Sequence, residues 1–163
     1  MPESLLTSQS DQTMTMFAKE EEPHRRDRMS IDGFRTVLLV EYRDEVFARL
    51  ADDLAAMGMW VERACSTAEA FRWIVGRSPD LVIANVHMPN NSGWLLAAKL
   101  RLFQPTARIW LYAPQPRSFE YDYALARFLG VAELIHYQGD LFRLAEEVNR
   151  RFIRLFASKR QSG

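Results

Sequence analysis

Between Asp80 and Gly93 the chain reads Asp-Leu-Val-Ile-Ala-Asn-Val-His-Met-Pro-Asn-Asn-Ser-Gly, and this stretch limits the possible folds more than any other. Its apolar run, Leu81 to Ala84, has Pro79 before it and a loop rich in Pro, Asn and Gly after it. Such a run is expected of a strand buried on both faces of a parallel sheet. Open α/β sheets keep their sites in loops beyond the carboxyl ends of such strands. Asn85 therefore stands where chemistry would be done.

The flanking sequence repeats one unit. Thr36 to Glu41 reads as a short apolar strand, and Asp44 to Met57 as a helix with Phe47, Leu50, Leu54 and Met57 on one face, stopped by Gly58. A second strand is expected over Met59 to Cys65. Ser66-Thr67-Ala68-Glu69 is a capping-box pattern opening a helix that closes near Gly76. After the strand at 80–85, a third helix runs from Trp94 to Phe103, before Pro105. Arg108 to Ala113 gives a fourth strand, Ser118 to Leu129 a fourth helix ending at Gly130, Ala132 to His136 a fifth strand, and Asp140 to about Phe156 a last helix. Five strands alternating with five helices call for a parallel sheet covered on both faces, with right-handed crossovers.

Residues 1–34 lack either period and read as a flexible tail, with Glu20, Glu21 and Glu22 before Pro23 and Arg25, Arg26 and Arg28 after it. The ordered domain is expected over 35–150, with 151–163 a basic extension of the last helix. Lysines plus arginines equal acids at 21 each, so overall charge does not point to nucleic acid or anionic lipid. A single cysteine, Cys65, excludes an intrachain disulfide and a thiolate metal cluster. With no segment of signal-peptide type and no apolar run of membrane-spanning length, a cytoplasmic location is expected.

The strand and helix order, Val37-Leu38-Leu39-Val40-Glu41, the block from Ser66 to Gly93 with its Met88-Pro89 and Ser92-Gly93, and Gly130 before the fifth strand together resemble a response-regulator receiver domain of CheY-like type. The resemblance covers about residues 35 to 150. It implies a flavodoxin-like (βα)5 doubly wound parallel sheet in the order 2-1-3-4-5, with the site at the carboxyl ends of its strands.

It also exposes departures. Receivers accept a phosphoryl group on an aspartate ending strand 3, whose anionic oxygen attacks phosphorus while Mg²⁺ screens the charge. Asn85 occupies that position here, and an amide oxygen is a poor nucleophile. The acidic pair after strand 1 becomes Glu41 and Tyr42, leaving one carboxylate where Mg²⁺ prefers several. The Ser/Thr of strand 4 aligns with Tyr112, the lysine after strand 5 with Tyr137, and the following proline with Gln138. A degenerate pseudo-receiver that needs no cofactor or metal is implied. Tyr42, Tyr112 and Tyr137 are expected to converge and fill the former site, as a packed plug rather than a small-ligand pocket.

His87 is read as a solvated loop histidine, since no second His or Cys lies at ligand spacing. Cys65 is read as a structural thiol. The contact surface is expected on helix 4, strand 5 and helix 5, through Phe119, Tyr121, Tyr123 and Phe128 and the apolar extension Phe152, Leu155 and Phe156. Arg150, Arg151, Arg154, Lys159 and Arg160 make that extension basic.

The expectation is a phosphorylation-independent interaction module of bacterial-type signalling, not an enzyme, that binds a protein partner or a second copy. The alternatives are a phosphoacceptor using an unrecognised residue, and a nucleic-acid or membrane-surface binder acting through the basic helix; neither nucleic acid nor membrane is favoured.

Overall fold

The computed structural model describes residues 35–114 and 119–157, apart from the side chains of Phe119, Phe156 and Ala157. The tail read over residues 1–34 lies outside them, as do Lys159 and Arg160. Five strands, β1 (Arg35–Val40), β2 (Met59–Ala64), β3 (Leu81–Asn85), β4 (Ile109–Ala113) and β5 (Glu133–His136), form one parallel sheet in the order β2-β1-β3-β4-β5. Five helices alternate with them: α1 (Asp44–Ala56), α2 (Thr67–Gly76), α3 (Gly93–Phe103), α4 (Phe119–Leu129) and α5 (Leu141–Ala157). The alternation called for a parallel sheet, and this is the doubly wound, flavodoxin-like order that the resemblance implies. No helix among the described residues is long and apolar enough to cross a membrane.

Strand side chains alternate between two cores. Val37, Leu39, Leu81, Ile83, Trp110 and Tyr112 face Leu50 and Leu54 of α1 and Leu144, Val148 and Phe152 of α5. Leu38, Val40, Val82, Ala84, Ile109 and Leu111 face α2, α3 and α4 through Ala70, Ile74, Leu96, Leu100 and Ala126. Every residue of β3 is buried, so this central strand shows a continuous apolar run rather than alternation.

Local signals set the helix starts. Ser66 Oγ accepts from Glu69 N at 3.1 Å, and the Glu69 carboxylate accepts from Cys65 N at 2.8 Å, one residue before the partner of a standard capping box. Ser92 Oγ caps α3 by accepting from Leu95 N at 3.2 Å. Between β3 and α3, His87–Met88 pairs antiparallel with Asn91–Ser92 around Pro89 and Asn90, and Asn90 takes φ 62°. Pro followed by a residue with positive φ is the signature of a type II turn. This small hairpin is an addition to the expected topology.

Gly93 has a steric reason to be glycine. A Cβ there would lie 2.5 Å from the Asn85 carbonyl oxygen and 3.1 Å from Leu111 Cδ2. The Ser92-Gly93 pair thus caps α3 and lets its first turn press against the end of β3.

Candidate functional site

Glu41, immediately after β1, is fully buried. A carboxylate there requires donors on both oxygens. Oε2 accepts from Tyr112 OH at 2.6 Å, Asn85 Nδ2 at 2.9 Å and Arg43 Nη2 at 2.9 Å. Oε1 accepts from Arg43 N at 2.9 Å and Arg43 Nε at 3.0 Å. Three loop and strand ends, after β1, at β3 and in β4, therefore meet on one carboxylate.

Burial by itself would raise the Glu41 carboxyl, yet the donors from Arg43, Tyr112 and Asn85 outweigh it and hold it below its ordinary value. Tyr112 moves the other way. Its burial, and then the Glu41 charge, push the phenol well above its usual range, so the hydroxyl remains a donor. The hydrogen bond to Glu41 leads the causes that raise Arg43, which stays a cation throughout.

Asn85 is used at both ends: Nδ2 donates to Glu41, and Oδ1 accepts from His87 N at 2.9 Å. This pairing fixes which way the amide points. Tyr137 is buried and meets Tyr112 edge-to-face, ring centroids 5.9 Å apart at 69°.

The expected convergence of three tyrosines needs correction. Tyr42 is 40% exposed, because strand alternation that turns Glu41 inward turns its neighbour outward, and its ring lies under the Arg43 guanidinium at 5.6 Å. The third occupant is Arg43 instead. His87 uses its backbone in the site, while its side chain lines a cavity of about 10 Å³ shared with Trp94, Asp122 and His136. That space matches one water, far below the roughly 300 Å³ at which small-ligand sites begin.

Mg²⁺ of the kind the resemblance implies does not fit these residues. A carboxylate has about four lone-pair directions, and the two oxygens of Glu41 already accept five hydrogen bonds. One of the donors is itself a cation. Among the described residues, no group of three or more His, Cys, Asp or Glu side chains could hold a metal.

The aromatic residues of α4 and α5 divide between surface and core. Tyr121 and Phe128 of α4 are 61% and 70% exposed. Tyr123 is half-exposed but stacks edge-on against His136, at 6.2 Å between centroids. Phe152 is a correction: it is buried in the α1/α5 core, and Leu155 packs against the same cluster, because α5 is long enough to keep covering the sheet past Val148. Among the described residues, Phe142 and Ile153 are the exposed large apolar side chains of α5. Phe119 and Phe156 lie outside the described side chains.

No protein-family model matches the chain, and no curated protein matches it. Solved structures do. Response regulator TrrA from Thermotoga maritima, in complex with Mg²⁺-BeF, superposes with TM-score 0.60 at 23% identity, over 71% of this chain and 97% of that one. A CheY-like receiver domain protein from Methanospirillum hungatei gives 0.65 at 17%, over 80% and 99%. Chemotaxis protein CheY4 of Vibrio cholerae gives 0.63 at 19%, over 72% and 98%.

The fold is that of a response-regulator receiver domain. At these identities the likeness is one of architecture. Within the receiver fold, Glu41, Asn85 and Tyr112 gather at the carboxyl ends of neighbouring strands, where an open α/β sheet keeps its site.

Proposed function

We propose that this chain is a pseudo-receiver: a phosphorylation-independent protein-interaction module of two-component-type signalling, acting in the cytoplasm, and not an enzyme. One observation carries the reading. The side chain ending β3 is an amide whose nitrogen donates to Glu41 and whose oxygen accepts from His87 N, so it offers no anionic oxygen to an incoming phosphorus. The charge balance of the site agrees, since Tyr137 rather than a cation follows β5.

A module without a phosphoryl switch works through a surface that is always competent. Exposed Tyr121 and Phe128 on α4, with Phe142 and Ile153 on α5, supply the apolar anchors of a protein contact with a partner or a second copy. Nucleic acid is a poorer fit. Arg151 is paired with Glu133 and Glu147, and Arg150 with Glu147, so much of the positive charge on α5 is neutralised internally.

The test is incubation of the full chain with acetyl phosphate and Mg²⁺, followed by intact mass. We expect no change. A stoichiometric, acid-stable and base-labile adduct would overturn the reading.

A further inference from the structure

The first helix begins with the wrong charge. Arg43 is the N-cap of α1 and its side chain makes no capping bond, although helix starts favour Ser, Thr, Asp or Asn and disfavour cations. The guanidinium instead turns back two residues. It grips Glu41 through Nε at 3.0 Å and Nη2 at 2.9 Å, one contact to each oxygen, while its own backbone N–H adds a third at 2.9 Å. A position unfavourable for the helix is thus favourable for the site, because a bidentate guanidinium matches a carboxylate in geometry as well as charge.

We propose that Arg43 is a resident counter-cation, holding at Glu41 the place a divalent metal takes in a phosphoryl-accepting receiver and fixing the carboxyl end of the sheet in one arrangement. The inference rests on the pseudo-receiver reading and gives it a mechanism. A dissociable metal makes a site responsive to metal and phosphoryl supply; a cation on the chain itself does not leave. The fully buried Glu41 stays ionised without an ion from solution, and the β1–α1 loop stays tied to β3 and β4.

Thermal unfolding with and without millimolar Mg²⁺, together with Mn²⁺ as a paramagnetic probe of the Asn85 and His87 amide signals, tests this. For the wild-type chain we expect an unchanged Tm and no selective broadening. Arg43→Ala should lower Tm by about 5 °C or more, since it leaves a buried carboxylate without its cation, and millimolar Mg²⁺ should recover part of that loss. Recovery should vanish in Arg43→Ala with Glu41→Gln. Arg43→Lys, which keeps the charge but not the fork, should fold and remain insensitive to Mg²⁺.

Selective Mn²⁺ broadening at Asn85 in the wild-type chain would overturn the proposal without reference to any variant. So would an Arg43→Ala chain that is as stable as wild type, or one that Mg²⁺ does not rescue. Phosphoryl labelling of the wild-type chain would instead overturn the pseudo-receiver reading, so the two failures are told apart.

Discussion

Tyr112 OH lies 2.6 Å from Oε2 of Glu41, joining β4 across β3 to the residue that follows β1. Both groups are buried, so water cannot replace either partner. Hydrogen bonds to a buried charge contribute about 1.5 to 3 kcal/mol, and removing the donor leaves the acceptor undersatisfied. Tyr112→Phe keeps the ring that packs on Tyr137 and deletes only the hydroxyl. We expect a loss of about 2 kcal/mol in urea unfolding with an unchanged m-value, and no loss would show that Asn85 and Arg43 suffice for Glu41.

Asn85→Asp restores the residue type that the resemblance calls for, yet we expect it to do harm. It replaces the donor 2.9 Å from Glu41 with a second carboxyl, so the introduced acid should be held protonated above its unfolded value. A group whose folded pKa is raised contributes stability at low pH and loses it as pH rises. The variant should therefore be about 2 to 3 kcal/mol less stable than wild type near neutral pH, with the deficit narrowing toward pH 5. A constant deficit across that range would show that Arg43 keeps both carboxylates ionised.

Gly93→Ala tests the close approach of α3 to β3. The added Cβ would sit 2.5 Å from a backbone oxygen, which cannot rotate away as a flexible side chain could. Overpacking of this kind costs about 1 to 3 kcal/mol. The same carbonyl belongs to Asn85, so we expect a chemical-shift change at Glu41 and Tyr112 in addition to the lost stability. Full wild-type stability would mean that the loop yields freely.

His136 supplies the pH dependence on the other face. Burial lowers its pKa below the ordinary 6.5, and the Asp122 charge opposes only part of this. The unfolded chain then binds the proton more readily, so stability is present above about pH 6.5 and is lost as pH falls through the depressed folded value. His136→Phe, which keeps an aromatic ring against Tyr123, should flatten the decline between about pH 7 and pH 5.5. An unchanged slope would assign it to other groups.

These residues also show what sequence could reveal. The parallel sheet was legible because strand and helix periods alternate without interruption from Arg35 onward, while its strand order, and the place of Asn85 at the end of β3 ahead of Met88-Pro89 and Ser92-Gly93, came from the resemblance to receiver domains. Arg43 was not legible. Spacing places it at a helix start beside Asp44 and Glu45, and only the folded β1–α1 loop shows that it turns back to Glu41 while Asp44 pairs with Arg63. The burial of Phe152 is hidden in the sequence for a related reason: a stripe at 144, 148, 152 and 155 looks the same whether it meets a partner or the chain's own α1 and sheet. How far the core extends decides between them, and that is a tertiary property.

That distinction shapes the prediction about assembly. Positions 121, 124, 125 and 128 of α4 are Tyr, Ala, Leu and Phe, spaced i, i+3, i+4 and i+7, and Tyr121, Ala124 and Phe128 are exposed while Asp122 and Ala126 face inward. The helix thus carries an apolar stripe that its own core does not use. A few aromatic anchors carry most of the energy in protein contacts, and under the pseudo-receiver proposal no phosphoryl switch is needed to uncover them. We expect light scattering to show a dimer at tens of micromolar, and Tyr121→Glu with Phe128→Glu to dissociate it while leaving Tm unchanged. Phe152→Glu should behave differently, unfolding the domain by placing a carboxylate in the α1/α5 core. A monodisperse monomer at that concentration would assign the stripe to a different protein, and a dimer that survives the double substitution would move the interface to Phe142 and Ile153 of α5.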